Sequence, residues 1–165
     1  LAWMNGKYLR ALSPADYTER AWPFLEKAGA DLSDRDLVEK LLPLEQEKVK
    51  KLSDVPATMD YLLLDSPDYV EKSVQKWLKA PGAADYIAAV AEAIEALDTW
   101  TPEAIESATR SVGTAHERDK GDVTHPIRVA ITGREVGPSL FDTLFVLGKE
   151  RLRRRFGKAL ELARG

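Results

Sequence analysis

The sequence predicts an all-α protein, and two observations support this fold class. Helix start signals, in which a capping Ser, Thr or Asp precedes a proline or an acidic first turn, recur along the chain. Apolar residues recur at helical spacing, whereas no alternating apolar and polar run is long enough to build a sheet. The 165 residues are 44% hydrophobic and 31% charged, which is the balance of an ordinary globular chain.

Three helices are predicted in the first block of the chain, each beginning at capping residues. The predicted starts are Ser13-Pro14, Ser33-Asp34 and Ser53-Asp54. Gly29 is expected to close the first helix, and Pro43 to break or kink the second. The Asp-Ser-Pro-Asp sequence at 65–68 predicts a turn that ends this block.

The second block carries the remaining helical patterns. Their predicted ranges are 70–78, 84–97, 101–112, 127–132, 138–147 and 149–163. Pro126 is expected to start the fourth of these, Gly133 to stop it, and Gly148 to separate the last two. We therefore predict two packed helical subdomains, residues 1–69 and 70–165.

Composition excludes several kinds of site and partner. The chain has no cysteine, which excludes disulfides, thiolate zinc sites and cysteine nucleophiles. No apolar run approaches the roughly 18–20 residues that cross a bilayer, and no signal peptide opens the chain. We expect no membrane partner and a cytoplasmic location. Because Leu1 begins a stretch that already has the pattern of structured sequence, we also expect a piece of a longer polypeptide.

Catalytic signatures are missing from the sequence. It contains no GxSxG elbow, GxxxxGK[ST] phosphate loop, HExxH pair or calcium loop. His116 and His125 flank a polar loop and are interpreted as surface or capping residues. Acidic pairs at i,i+3 spacing, such as Glu92 with Glu95, have no histidine beside them and are interpreted as solvated helix faces. The chain alone is expected to be non-catalytic and to hold no cofactor or metal.

The formal net charge of −3 conceals a marked asymmetry. Residues 125–165 contain nine basic and four acidic side chains, a net charge of +5, which leaves −8 for the first 124 residues. A basic end on an acidic chain can hold a polyanion there and repel it elsewhere. The alternative is that the basic terminal helix is only a solvated face.

Four segments, in order, carry more information than helical periodicity. They are Trp3-Met4-Asn5-Gly6-Lys7-Tyr8, His125-Pro126-Ile127-Arg128-Val129-Ala130-Ile131-Thr132-Gly133, Gly137-Pro138-Ser139-Leu140-Phe141 and Leu147-Gly148-Lys149-Glu150-Arg151. Together they resemble the WMNGxY, PxRxAxTG, GPxLF and LGKER segments in the C-terminal, anticodon-binding part of bacterial glutamyl-tRNA synthetases. The resemblance covers essentially the whole chain.

The resemblance implies a helical anticodon-binding region whose partner is tRNA(Glu), with tRNA(Gln) as the alternative. It places ATP, Mg²⁺ and the HIGH-like and KMSKS-like motifs in a catalytic domain outside these residues. It also implies contacts to the anticodon loop. By resemblance, Arg128, Gly137, Pro138 and Leu140 face the anticodon. Further candidate contacts, chosen for their charge near these segments, are Arg110, Arg134, Lys149 and Arg151. Unpaired bases suit such a site, since their edges can be hydrogen-bonded while Lys and Arg hold the phosphates.

Lys48 is where the chain departs from that family. Discriminating members use an arginine in an RxxTL-like stretch to read the third anticodon base, and Lys48 stands at the matching position. Lysine offers a flexible point charge where arginine offers a planar fork of donors. Strict separation of glutamate and glutamine tRNAs is therefore an open question at this stage, and Lys48 is either an RNA contact or an exposed lysine.

Several alternatives remain open on sequence alone. Leu140 is either a contact or a core residue, and Arg151 and Arg153–Arg155 are either phosphate contacts or a solvated helix end. The chain could also be a helical protein-interaction module, with Trp77 or Trp100 on an exposed apolar face. A helical small-molecule enzyme is disfavoured because no titratable residues converge. We expect a monomer.

Overall fold

The computed structural model describes the backbone of residues 2–165 and the side chains of residues 4–165, so predictions that rest on Leu1 or on the Trp3 side chain lie outside it. Every regular element in the described residues is helical, which confirms the all-α prediction. The chain divides into two compact units, Leu1–Asp65 and Ser66–Gly165.

Within the residues that the structure describes, the first unit contains four α-helices and two short 3₁₀ turns. The helices are α1 (Ala2–Ala11), α2 (Pro14–Lys27), α3 (Arg35–Glu45) and α4 (Val55–Leu63), and the turns are Gln46–Lys48 and Leu52–Asp54. The predicted start of α2 is confirmed, because the Ser13 hydroxyl accepts the Asp16 N–H at 3.2 Å. Pro43 lies inside α3, which continues to Glu45. Buried side chains including Tyr17, Leu25 and Met59 form the core of this unit.

The second unit is built around its long last helix. Its helices are α5 (Glu71–Ser73), which continues into a π-helical turn (Val74–Leu78), α6 (Ala83–Glu95), α7 (Pro102–Ala115), α8 (Gly121–Thr132) and α9 (Leu140–Arg164). Helix α9 packs against α6, α7 and α8. It consists of two helical segments that meet at Gly148, where φ is +81° and ψ is 161°, so the predicted separation at this glycine is confirmed.

The predicted start of α8 at Pro126 is wrong. The helix begins at Gly121, and Pro126 lies inside it. An internal proline leaves the carbonyl four residues earlier without its helical N–H partner. Here that carbonyl belongs to Asp122, and the Arg118 guanidinium donates to it at 3.1 Å. A tertiary side-chain bond thus replaces the missing backbone bond.

Tyr86 should make the stability of this fold decrease at alkaline pH. The hydroxyl donates to the Val123 carbonyl at 2.7 Å, and the side chain is fully buried. Burial raises the pKa of Tyr86 from 10 to about 12, although the nearby Arg118 charge lowers it. A phenol whose folded pKa is raised stabilises the protein below its unfolded pKa and loses that contribution as pH rises through the folded value.

We therefore expect Tyr86 to contribute as much as about 2–3 kcal/mol to the pH dependence of unfolding. The loss should occur as pH rises from 10 towards 12. Denaturant titrations across this range would compare the parent chain with Tyr86→Phe, whose stability should fall less steeply. Parallel curves for the two proteins would contradict the prediction.

Candidate nucleic-acid interface

The loop that joins α8 to α9, residues 133–139, is fixed at its first residue. Gly133 ends α8 with φ +79°, its N–H donates to the Val129 carbonyl at 2.8 Å, and its carbonyl accepts the Val70 N–H at 2.9 Å. A Cβ atom at this position would lie 2.3 Å from the carbonyl oxygen of Asp68. The close approach of two backbone segments therefore requires glycine.

Arg128 holds the other end of the same loop. Its Nη1 donates to the Pro138 carbonyl at 2.6 Å, and the Arg134 N–H donates to the Thr132 hydroxyl oxygen at 3.4 Å. Arg134 itself is half-buried in the loop. A guanidinium carries its N–H donors in a fixed plane, so the bond to Pro138 orients the Arg128 side chain. The structure brings together Arg128, Arg134, Gly137 and Pro138.

The most exposed residues in this region, Val136 and Ser139, are not the ones that the sequence predicts as contacts. Leu140 is the first residue of α9 and is 4% exposed, so its side chain lies in the core. Val136 is 74% exposed and Ser139 is also exposed. Free N–H groups at the start of α9 favour an anionic or acceptor ligand beside them. Val136 was missed because a single apolar loop residue gives no periodic signal.

A second set of contacts ties the loop to the π-helical turn. The Trp77 indole N–H donates to the Glu135 carboxylate, and Lys76 Nζ lies 3.8 Å from the same oxygen. The Trp77 ring stacks on His125 with centroids 4.7 Å apart. His125 lies one turn before Arg128 on α8, so the Trp77–His125 stack borders the loop. Sequence reasoning assigned no role to Glu135.

Arg110 approaches the same region from α7. Its guanidinium carbon lies 5.5 Å from the centroid of the Phe141 ring, in the first turn of α9. Its Nε also donates to Glu106 at 2.8 Å. Both contacts leave the side chain 51% exposed. Arg110 is therefore close to the loop region yet already engaged by a carboxylate of its own helix.

Lys149 has a structural role on α9. Its ammonium donates to the Glu95 carbonyl at 3.0 Å and to the Leu97 carbonyl at 2.5 Å. These carbonyls lie at the C-terminal end of α6, where a cation satisfies unpaired acceptors and the helix dipole. The nearby Arg151 is half-buried. No observation places either residue at the loop.

The three consecutive arginines of α9 have different environments. Arg153 pairs with Glu95, which raises the pKa of the guanidinium through their hydrogen bond, and Arg154 lies 3.2 Å from Glu150. Arg155 is 1% exposed, and its Nη1 donates to the Ile131 carbonyl at 2.7 Å. Arg155 is thus neither a phosphate contact nor part of a solvated face. Helical spacing from Leu152 and Ala159, both buried, is the signal that could have identified it.

Tyr69 binds the same end of α8 as Arg155. Its hydroxyl donates to the Ala130 carbonyl at 2.7 Å. Burial raises the pKa of Tyr69 to about 12, and the Arg155 charge opposes the rise, so the phenol is a neutral donor near pH 7. Two side chains distant in sequence therefore satisfy the last carbonyls of the helix that carries Arg128.

Lys48 lies in the first unit, at the end of the 3₁₀ turn Gln46–Lys48. Its side chain is 57% exposed, and its Nζ lies 3.4 Å from the Glu45 carboxylate. The flanking Val49 is buried. The candidate contacts are therefore divided between the units, with Lys48 in the first and the loop in the second.

The protein-interaction alternative required Trp77 or Trp100 on an exposed apolar face. Both rings are half-buried, and the Trp100 indole donates to the Phe145 carbonyl at 3.1 Å, as Trp77 does to Glu135. Neither tryptophan offers such a face.

Comparison with known proteins identifies a family for this chain. The family model described as "Anticodon binding domain" matches residues 16–160. The chain belongs to that family. The match includes the loop 133–139, Arg128 and Lys48, and it confirms the resemblance on which these residues were selected.

The relatives of this anticodon-binding domain are glutamate–tRNA ligases. It is 37% identical over 155 residues to the enzyme from Salinispora arenicola and 36% identical over 161 residues to that from Streptomyces coelicolor. These matches cover 89% and 95% of this chain but 33% and 32% of the relatives, so the chain spans about a third of their length. A crystal structure of a glutamate tRNA ligase from Elizabethkingia meningosepticum matches with a TM-score of 0.84 and 25% identity, over 97% of this chain and 31% of that one.

Two features are absent from the described part of this domain. No helix within residues 2–165 is long and apolar enough to cross a membrane. The same residues contain no group of three or more His, Asp or Glu side chains arranged to hold a metal ion.

Proposed function

We propose that this chain recognises the anticodon loop of tRNA(Glu) as part of a glutamate–tRNA ligase. The observation that carries the proposal is the loop 133–139, which Arg128 and Gly133 hold rigidly inside the segment matched by the anticodon-binding family. A rigid loop beside free helix N–H groups can recognise unpaired bases without paying a large ordering cost.

Base recognition is assigned to the second unit. Arg128 and the backbone of Gly137 to Leu140 supply hydrogen-bond donors and acceptors for base edges. Arg110 and Arg134 add positive charge for the phosphates. The exposed Val136 side chain offers an apolar contact for a splayed base. Lys149 and Arg151 remain candidate phosphate contacts, although Lys149 also caps α6.

Lys48 is assigned to the third anticodon base, by its match to the arginine of discriminating synthetases. Its exposed ammonium supports this role. We propose tRNA(Glu) as the cognate partner and tRNA(Gln) as the near-cognate one. The ligase reaction would use ATP and Mg²⁺ in a catalytic domain outside these residues. We also propose that the protein is cytoplasmic and monomeric.

Arg128→Ala tests base recognition directly. We expect affinity for a tRNA(Glu) transcript to fall about tenfold or more, because a well-placed base contact is worth roughly 1–3 kcal/mol. Filter binding would compare this transcript with variants carrying single anticodon substitutions. The parent chain should bind the variants more weakly, and Arg128→Ala should lose part of that preference.

Two controls separate this effect from charge and folding. Arg35→Ala removes the same charge from an exposed arginine on α3 that pairs with Glu19 and Glu39, and it should leave the anticodon preference unchanged. Circular dichroism would verify that Arg128→Ala is folded, since Arg128 also braces Pro138. Equal affinity of the parent chain for all anticodon variants would refute base recognition.

A further inference from the structure

Glu45 places a buried carboxylate beside the exposed ammonium of Lys48. The Glu45 side chain is 5% exposed, the Lys48 side chain is 57% exposed, and Oε1 lies 3.4 Å from Nζ. A buried charge is costly unless it is paired. Lys48 is the ion partner of Glu45 among the described residues, so this ammonium compensates the carboxylate.

The 3₁₀ turn Gln46–Lys48 fixes the direction of this pair. Glu45 directly precedes this turn and Lys48 ends it, and their side chains meet, with Nζ 3.4 Å from Oε1. Gln46 is buried, and its amide donates to the Leu9 carbonyl at 2.7 Å and the Leu12 carbonyl at 3.1 Å. Val49 on the other side is 1% exposed. The backbone that carries Lys48 is therefore anchored on both sides.

Lys48, and not the exposed Lys50 or Lys51, is the lysine paired with Glu45. Tyr17 is also close to Glu45, whose charge adds to the effect of burial in raising the pKa of Tyr17 to about 12. The Tyr17 hydroxyl makes no hydrogen bond within the described residues, so it does not replace Lys48 as the partner of the carboxylate.

A lysine ammonium that is held in one direction can distinguish cytosine from guanine, whereas a freely moving ammonium cannot. The Watson–Crick edge of an unpaired cytosine presents two neighbouring acceptors, O2 and N3, whereas that of guanine presents the donors N1–H and N2–H₂ and the single acceptor O6. A fixed N–H donor therefore finds acceptors on cytosine and opposing donors on guanine, and an unmatched polar group costs affinity. A lysine that is free to move can instead reach a phosphate beside either base.

We infer that Glu45 is a positioning residue that makes Lys48 selective for cytosine over guanine at the third anticodon position. The inference rests on the proposed function, in which Lys48 meets that base. Glutamate anticodons end in cytosine and glutamine anticodons in guanine, so the pair would supply discrimination that lysine alone lacks. Glu45 itself is too buried to contact RNA and acts through Lys48.

The experiment measures the affinity ratio between two tRNA(Glu) transcripts that differ only in the third anticodon base, cytosine or guanine. The proteins are the parent chain, Glu45→Gln, Lys48→Met and the double variant. We expect Glu45→Gln to reduce the cytosine preference about fivefold to tenfold, within the range of one good base contact. Its affinity for the guanine transcript should rise with a steeper salt dependence, because the released ammonium turns to phosphate.

The double variant identifies the route of the effect. Lys48→Met should abolish the preference, and Glu45→Gln should change nothing further in that background. Glu47→Gln is the matched control, since it removes the same charge from the exposed neighbouring residue and should leave the ratio unchanged. Glu45→Asp, which withdraws the carboxylate by one methylene, provides a second test if Glu45→Gln proves poorly folded.

The outcomes separate this inference from the proposed function. If Lys48→Met abolishes the preference while folded Glu45→Gln and Glu45→Asp retain it, the positioning role is overturned and the anticodon function stands. If the parent chain shows no preference at the third base but Arg128→Ala still alters recognition of the other bases, the inference and the assignment of Lys48 to the third base are overturned, and anticodon recognition by the second unit stands. If no anticodon substitution changes binding, the proposed function fails.

Discussion

Gly133→Ala is expected to lower the free energy of unfolding of the second unit by about 3 kcal/mol or more. The methyl group would lie 2.3 Å from the Asp68 carbonyl oxygen and 3.2 Å from the Tyr69 Cα atom. These atoms are backbone and cannot rotate away, so the two segments must separate. That movement would break the bond from the Val70 N–H to the Gly133 carbonyl. Urea denaturation followed by circular dichroism would measure the loss.

Gly82→Ala is the matched control for this substitution. Gly82 has nearly the same conformation, φ +78° and ψ −5° against +79° and 0° for Gly133. Its Cβ would meet only the Arg118 side chain, at 3.9 Å. We expect a loss of about 1–2 kcal/mol from the left-handed conformation alone. Equal losses for the two variants would show that the approach to Asp68 contributes nothing.

Arg155→Met is expected to destabilise the second unit by about 2–4 kcal/mol. Methionine can fill much of the buried volume but cannot donate to the Ile131 carbonyl, which would lose the bond that Arg155 makes at 2.7 Å. The favourable charge at the C-terminal end of α8 would also be lost. The same denaturation measurement would detect the change.

Arg154→Met tests whether position or charge explains that effect. Arg154 precedes Arg155, is 45% exposed and pairs with Glu150 on its own helix. Its replacement should change stability by no more than about 0.5 kcal/mol. If Arg155 instead contacted phosphate, Arg155→Met would reduce the salt dependence of tRNA binding by about one unit of slope and leave stability intact.

Local signals predicted the helices well, because the relevant atoms are near one another in sequence. The Thr101 hydroxyl accepts the Ala104 N–H at 3.1 Å, as the cap-then-proline pattern predicts. Pro126 is an exception, because its sequence signal predicted the start of a helix, whereas it lies inside α8. Its position inside α8 depends on the Arg118 guanidinium, which satisfies the Asp122 carbonyl. Local rules do not reveal such a compensating bond.

The candidate site was predictable as a segment but less so as a set of side chains. Gly133 was correctly predicted to stop α8, and Pro138-Ser139-Leu140 to open the next helix, because glycine and proline restrict the backbone conformation directly. The roles of Glu135 and Trp77 were not predictable, since 58 positions separate the two residues and only the fold joins them. Leu140 belongs to the core because α9 turns it inward.

The sequence by itself determined the all-α fold, the family and the concentration of positive charge in the last 41 residues. These properties depend on local pattern, motif order and composition, which need no coordinates. Only the tertiary structure decided which cations serve the fold. Arg155 and Lys149 bind helix carbonyls, whereas Arg128 braces the loop and Lys48 pairs with a buried carboxylate. The physical reason is that the role of a cation depends on the acceptors around it, and folding brings those acceptors from other elements.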